Sequence, residues 1–335
     1  MVTGCIVAAL TLVSSPALAG MQTGALTLAQ AVETDGIQGM SVDEVVETAK
    51  KWELAILIGA SVLVFAFVLA AGLVKPGGIE KAGLRDVKSV PWLVWLFAGA
   101  IVYLAQGSAR VALEQFPAWT QRDIPDNHSL VILSATGAVF GIIAGLGMLY
   151  MLAKSVPEGG LKLGPLDAVV GLGCFALAFP IIALAGIGGV ALYEALAEKP
   201  PPRIAHETLQ TLVDWWESSP SDPWLWGLFA VVVIGVPVVE ELIFRVFLQS
   251  AVIKIVKSPW VGIFITSLAF ALIHRVGGQV PWQALLPLFA LGVCCGLAYE
   301  RTRRVGVPMM MHACFNGLNI AVALLAAPEA AAPAV

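Results

Sequence analysis

Two adjacent glutamates lie within a strongly apolar part of the chain. Glu240 and Glu241 follow a run, 228–239, that is almost wholly hydrophobic. A charged side chain at the centre of a membrane helix costs about 2.5–3.5 kcal/mol on insertion scales. Two carboxylates in succession therefore need polar partners or a wet cavity. They are the first place in this sequence to look for chemistry.

The two glutamates point in different directions if this segment is helical, because successive residues are about 100° apart around the axis. Glu241 lies four residues before Arg245, a spacing at which an acid and a base on one helix face can pair. Glu240 has no such partner on its own helix. Pro237, one turn earlier, lacks an N–H and is expected to release a backbone carbonyl near this position.

Two of the four histidines in the chain also fall in apolar segments. His274 follows one such segment, and His312 precedes Asn316 by four residues, so these two side chains share a helix face. A carboxylate with an imidazole can hold and deprotonate a water, and a second imidazole with an amide can stabilise an oxyanion. Alternatively, Glu240, His274 and His312 could hold a metal with an open coordination position, as catalytic zinc sites do.

Both alternatives lead to hydrolysis of an acyl bond inside a membrane. The zinc-protease sequence HExxH and the serine-hydrolase sequence GxSxG are both absent from the chain. With 19 lysines and arginines and no basic stripe, nothing in the sequence indicates nucleic-acid binding. The five cysteines form no C-x-x-C pair, and four of them fall in apolar segments, which is typical of packing residues.

The polar residues form three motifs that resemble those of the CAAX-protease and bacteriocin-processing family of intramembrane endopeptidases. The motifs occur in the family's order on three separate hydrophobic segments: Glu240-Glu241-x-x-x-Arg245, Phe270-x-x-x-His274 and His312-x-x-x-Asn316. The resemblance covers approximately residues 224–326, the last third of the chain.

The resemblance implies a role for each of these residues. Glu240 and His274 would activate the attacking water, and His312 and Asn316 would form the oxyanion hole. Glu241 and Arg245 would support Glu240, while Phe270 would line the site. The family's site is described either as a metalloprotease centre or as a metal-free glutamate site. The expected cofactor is therefore one divalent metal, with zinc first, or none.

The overall composition is that of a membrane protein. The 335 residues are 59% hydrophobic and 13% charged, with a mean hydropathy of +0.87, whereas soluble domains average about 45–50% apolar and about 25% charged residues. We therefore predict an all-α, polytopic helical bundle. Segments of about the length that a bilayer requires predict eight spans: 54–74, 91–109, 130–153, 166–196, 224–249, 261–275, 284–298 and 307–326.

Five regions are expected along the chain. Residues 1–19 resemble a signal peptide, because a short apolar core precedes Ala17-Leu18-Ala19. Residues 20–52 form a polar exported segment, with a short amphipathic helix around 42–54. Membrane helices follow over 54–200, then the catalytic core over 224–326 and a loose tail over 327–335. Residues 250–258 are expected to lie along the inner membrane surface.

The loop charges predict an orientation in the membrane. The loops after the odd-numbered spans carry eleven lysines and arginines, against five on the opposite side. Positive loops stay in the cytoplasm, so both termini are expected outside, with the site toward the cytoplasmic half of a bacterial-type inner membrane.

The expected substrate is a membrane-associated protein or peptide. CAAX specificity is not carried over, because the signal-like leader points to a bacterial setting. The rival interpretation is a non-hydrolytic scaffold, or a transporter that uses the buried carboxylates for protons.

Overall fold

The computed structural model describes residues 42–72, 74, 85, 87, 89–116, 124–157, 159–197, 207–276 and 280–325. Over these residues the chain is helical and contains no strand. We number the helices in chain order: α1 Val42–Ala70, α2 Trp92–Glu114, α3 Asp126–Ala153, α4 Leu166–Ala197, α5 Glu207–Ser218, α6 Pro223–Val256, α7 Pro259–Ile273, α8 Leu285–Thr302 and α9 Gly306–Leu325.

The predicted helical membrane bundle is confirmed. Seven of the described helices are long and apolar enough to cross a membrane, and α7 is a shorter apolar helix of 15 residues. The short helix α5 is instead amphipathic, with Leu212 and Trp215 buried and Asp214 exposed. The predicted leader 1–19 and the predicted tail 327–335 lie outside the described residues.

Two predicted segment boundaries differ from the structure. The amphipathic helix expected around 42–54 and the span 54–74 form one continuous helix, α1. Residues 250–256, expected along the membrane surface, instead continue α6, with Gln249 and Ser250 completely buried. Both side chains form hydrogen bonds inside the bundle. They therefore do not need water or headgroups at the membrane interface as partners. Helix α6 ends at Lys257, whose φ of 57° is left-handed.

Contacts between the connecting segments define two ends of the bundle. At one end, Arg85 in the segment after α1 contacts Gly159 after α3 and Glu300 near the end of α8. We call this end the basic-loop face. At the other end, His128 at the start of α3 contacts Asp222 before α6. We call that end the α5 face, because α5 packs there through Leu212 and Trp215.

Glycines on α3 let α6 approach closely. A Cβ added to Gly145 would lie 2.5 Å from Leu242 Cδ1, and one added to Gly141 would lie 3.0 Å from Val239 Cγ2. Small residues at such spacing are the usual way in which membrane helices reach close contact. The packing fixes the rotation and depth of the helix that carries both glutamates.

Candidate active site

The glutamates lie where α6 changes its winding. Two π-helical segments, Val231–Gly235 and Leu242–Leu248, flank a short α segment, Val236–Glu241, that ends with both carboxylates. A π turn pairs each carbonyl with the N–H five residues on, and for Val232 that residue is Pro237, which has none. Asn316 Nδ2 instead donates to the Val232 carbonyl at 2.9 Å. The predicted release of a carbonyl by Pro237 is confirmed.

Glu241 belongs to a buried charge cluster. Its Oε2 accepts from Arg245 Nε at 3.0 Å, which confirms the predicted ion pair. Its Oε1 lies 2.9 Å from His312 Nδ1, a contact that the sequence did not predict. Glu241, Arg245 and His312 are all buried. The Arg245 guanidinium also lies 5.0 Å from the ring centroid of Phe270, within the range of a cation–π contact.

Glu240 faces two imidazoles from other helices. His274 Nε2 lies 3.8 Å from Glu240 Oε1, and His312 Nε2 lies 3.7 Å from Glu240 Oε2. Both distances exceed a direct hydrogen bond, and Oε2 is a buried atom without a hydrogen-bond partner among the described residues. The side chain retains 21% exposure. Helices α6, α7 and α9 thus bring the three predicted residues together with space between them.

The short length of α7 allows His274 to lie at the same depth in the bundle as Glu240 and His312. Its 15 residues rise about 22 Å, less than the roughly 30 Å hydrocarbon core of a bilayer. His274 follows its last helical residue, so it stays inside the bundle instead of reaching the α5 face. The imidazole Nδ1 lies 2.8 Å from the Phe270 carbonyl, which fixes the ring. Phe270 is itself fully buried and also contacts the His312 ring edge-on, at 5.5 Å between centroids.

The hydrogen-bond partners assign the histidine tautomers. A carbonyl can only accept, so His274 Nδ1 carries the proton and donates to Phe270 O. The ionised Glu241 likewise accepts from His312 Nδ1. In the neutral rings, both Nε2 atoms are then acceptors, and both face the acceptor oxygens of Glu240. The centre requires a donor between these groups or an additional proton on one ring.

A cavity of about 330 Å³ contains the candidate residues. Glu240, His274, His312 and Asn316 all line it. From there it extends toward the α5 face, where Arg110, Thr208 and Val280 contribute to its wall. If the basic loops are cytoplasmic, the cavity therefore extends toward the outer surface, away from the cytoplasmic half in which we expected the site. The orientation itself remains a prediction.

Several cavity residues were not predicted from the sequence. Gln106, Arg110 and Ser134 come from α2 and α3, and Gln283 precedes α8. None belongs to a motif. Gln283 was the most visible of them, because it is a polar residue at the edge of an apolar stretch, but the predicted span began one residue later. Spacing within one helix does not predict contacts between distant parts of the chain.

A preformed metal cage is not found among the described residues. No group of three or more His, Cys, Asp or Glu side chains there is placed closely enough to hold a metal ion. Glu240, His274 and His312 provide a suitable set of donor atoms, but their mutual placement does not meet that geometry.

Comparison with known proteins agrees with the family resemblance. Residues 222–318 match the family model described as type II CAAX prenyl endopeptidase Rce1-like. The match contains all three motifs, confirms the predicted resemblance over this part of the chain, and supports a membrane peptidase. No solved structure gives a significant match.

Two curated relatives are similar to the chain. The membrane-embedded CAAX protease MroQ of Staphylococcus aureus is 34% identical over 108 residues, 31% of this chain and 41% of MroQ. The putative membrane peptidase YdiL of Bacillus subtilis is 26% identical over 198 residues, 57% of this chain and 73% of YdiL. The first match thus spans less than half of that relative's length.

Proposed function

We propose that this protein is an intramembrane endopeptidase that hydrolyses a peptide bond of a membrane-associated protein or peptide. The observation that carries the proposal is the convergence of Glu240 with the Nε2 atoms of His274 and His312 in one cavity. The Rce1-like family match supports the same reaction class.

Glu240 is the proposed general base. A water between Glu240 and His274 can donate one hydrogen to the carboxylate and the other to the unprotonated His274 Nε2, which satisfies both acceptors. The water oxygen then attacks the scissile carbonyl carbon, while Glu240 takes the proton. When the tetrahedral intermediate collapses, that proton passes to the leaving nitrogen. The products are a new carboxyl group and a new amine.

His312 and Asn316 are the proposed oxyanion donors. His312 can donate through Nε2 only when both ring nitrogens are protonated, because Nδ1–H is already directed at Glu241. The Glu241 carboxylate stabilises that imidazolium, and Arg245 holds the carboxylate in place from its other oxygen. Glu241 and Arg245 thus act on the oxyanion side through His312, while the resemblance had implied that they support Glu240.

The test is cleavage of a membrane-bound peptide by purified protein in vesicles. We expect Glu240→Gln and His274→Gln each to lower kcat by about 10²- to 10⁴-fold with an unchanged melting temperature. Glu53→Gln is the matched control, because Glu53 lies in membrane helix α1 and does not line the cavity. Full activity in the Glu240 variant would refute the assigned base.

A divalent metal, zinc by its donor preference, is the alternative cofactor of the same site. Glu240, His274 and His312 would have to move closer together to bind it. The glutamate mechanism predicts that dialysis against a chelator leaves the cleavage rate unchanged. Loss of activity on dialysis, with recovery on adding zinc, would favour the metal alternative.

A proton-coupled transporter is the rival from another functional class, because buried acids and histidines also form proton relays. It predicts a proton flux across vesicles that depends on Glu240 in the absence of any cleavage. The endopeptidase predicts cleavage without such flux.

A further inference from the structure

One buried side chain in the cavity wall takes no part in the mechanism above. Gln283 lies in the 3₁₀ turn Trp282–Ala284 that precedes α8, and it lines the same cavity as Glu240 and Asn316. Its exposure is 3%. Neither its Oε1 nor its Nε2 has a hydrogen-bond partner in the part of the chain that the structure describes.

Burying an amide without hydrogen-bond partners costs free energy, so a glutamine at this position requires an explanation. Leaving a buried donor or acceptor unsatisfied carries the desolvation penalty of that group, and most buried polar side-chain atoms in proteins have a partner. Here both ends of the same amide lack one. The neighbouring cavity wall offers mainly apolar groups, among them Val190, Val280 and Leu288.

The backbone around Gln283 is held firmly in place. A Cβ added to Gly189 of α4 would lie 2.3 Å from the Gln283 carbonyl oxygen, so only glycine permits this approach. The Ala284 N–H donates to the Pro281 carbonyl at 3.0 Å. On the other side of the turn, the rings of Tyr193 and Trp282 lie 5.1 Å apart. The amide is therefore presented from a rigid turn.

We propose that Gln283 binds the main chain of the substrate beside the cleaved bond. This inference rests on the proposed peptidase function. A primary amide has a donor and an acceptor side by side, which complements the N–H and C=O of a peptide unit. Inside a membrane protein, an extended substrate segment has no water to satisfy its backbone groups and needs such a partner. An ionic ligand would use only one end of the amide.

Gln283→Leu tests this contact, because leucine approximates the size of the side chain and removes both polar atoms. A hydrogen bond made equally in the ground state and the transition state affects KM and leaves kcat unchanged. We expect KM for the membrane-bound peptide to rise about 3- to 10-fold. An unchanged KM would overturn the inference.

Gln249→Leu is the matched control. Gln249 is also completely buried, but its Nε2 donates to Glu300 Oε1 at 2.8 Å, and it does not line the cavity. We expect Gln249→Leu to lower the melting temperature and leave KM unchanged. Gln283→Leu should leave the melting temperature unchanged or raise it. An equal loss of stability in both variants would make Gln283 a structural residue.

Substrate analogues can identify the peptide N–H that Gln283 contacts. In a series of peptides, each amide near the cleaved bond is replaced in turn by an ester, which removes one N–H. One ester should weaken binding to the wild type and have no further effect on Gln283→Leu. If every ester weakens binding to both proteins equally, Gln283 does not contact the substrate main chain.

Binding without turnover separates this inference from the proposed function. A fluorescent version of the peptide is titrated into Glu240→Gln and into the double variant with Gln283→Leu. The Kd should rise about 3- to 10-fold in the double variant. Equal Kd values would refute the role of Gln283 and leave the peptidase proposal intact. Continued cleavage by Glu240→Gln would refute the proposed base, whatever the two Kd values are.

Discussion

Helix α6 connects two buried polar clusters that differ in how completely they are paired. At the basic-loop face, Arg85 donates twice to Glu300 Oε1, at 2.6 and 3.0 Å. It also donates to Ser250 Oγ and to the Gly159 carbonyl, at 3.1 Å each. Its guanidinium lies 4.0 Å from the centroid of the Tyr299 ring. Every charge in this cluster has an opposite charge beside it.

The cluster around Glu240 is incomplete by comparison. Its nearest nitrogens, on His274 and His312, lie beyond hydrogen-bond distance. The Gln283 amide in the same cavity has no hydrogen-bond partner within the described part of the chain. In the Arg85 cluster, burial lowers the pKa of the guanidinium, but Glu300 and Tyr299 together more than offset this, and the net effect raises the pKa above its ordinary value. The paired cluster therefore stabilises the bundle, whereas the proposed function assigns substrate binding to the unpaired one.

The largest expected effect on stability comes from removing the counter-charge of the Arg85 cluster. Glu300→Gln would leave the buried Arg85 without its counter-charge, and breaking a buried pair costs about 3–5 kcal/mol. We expect a clear fall in melting temperature, measured by thermal unfolding of the purified protein. Glu240→Gln should melt no lower than the wild type. Similar melting temperatures for the two variants would abolish the distinction between the clusters.

Within the incomplete cluster, Asn316→Ala removes one proposed oxyanion donor. Loss of such a donor lowers kcat by about 10²- to 10³-fold in known enzymes. Asn319→Ala is the control, because Asn319 also lines the cavity but is not a proposed oxyanion donor. Its Nδ2 donates to the Phe315 carbonyl of its own helix at 2.8 Å, whereas that of Asn316 donates to Val232 of α6. Kinetics on the membrane-bound peptide should show little change for the control. Equal losses would assign the effect to cavity shape.

The orientation of the two faces in the membrane can be tested with exposed cysteine variants outside the cavity. Ser219 lies between α5 and α6, and Ser155 follows α3 at the basic-loop face, and both are exposed. In the predicted orientation, a membrane-impermeant thiol reagent applied to intact cells labels Ser219→Cys and spares Ser155→Cys. The parent protein with its native cysteines is the control. The reverse pattern would place the cavity mouth on the cytoplasmic side.

The sequence predicted one contact within α6 correctly but misplaced some boundaries of the helices. The spacing of Glu241 and Arg245 within one helix was sufficient to predict their ion pair, because helical geometry is local. The contact between Glu241 and His312 joins residues 71 positions apart, and no local rule predicts it. Residues 250–258 were expected at the membrane surface because Lys254 and Lys257 made the segment look amphipathic, whereas Gln249 and Ser250 are buried in the bundle. Their partners, Glu300 and Arg85, come from distant parts of the chain.

The two π segments of α6 also bear on which insertions and deletions this helix can tolerate. A π turn contains one more residue than the α turn that it replaces. Deleting one residue within Val231–Gly235 would convert that segment to ordinary α-helix and rotate the preceding part of α6 by about 100° relative to Glu240. Asn316 would then lose the Val232 carbonyl. A deletion within Leu242–Leu248 would instead shift Gln249 away from Glu300. Related chains that differ in length here would have to change these partners together.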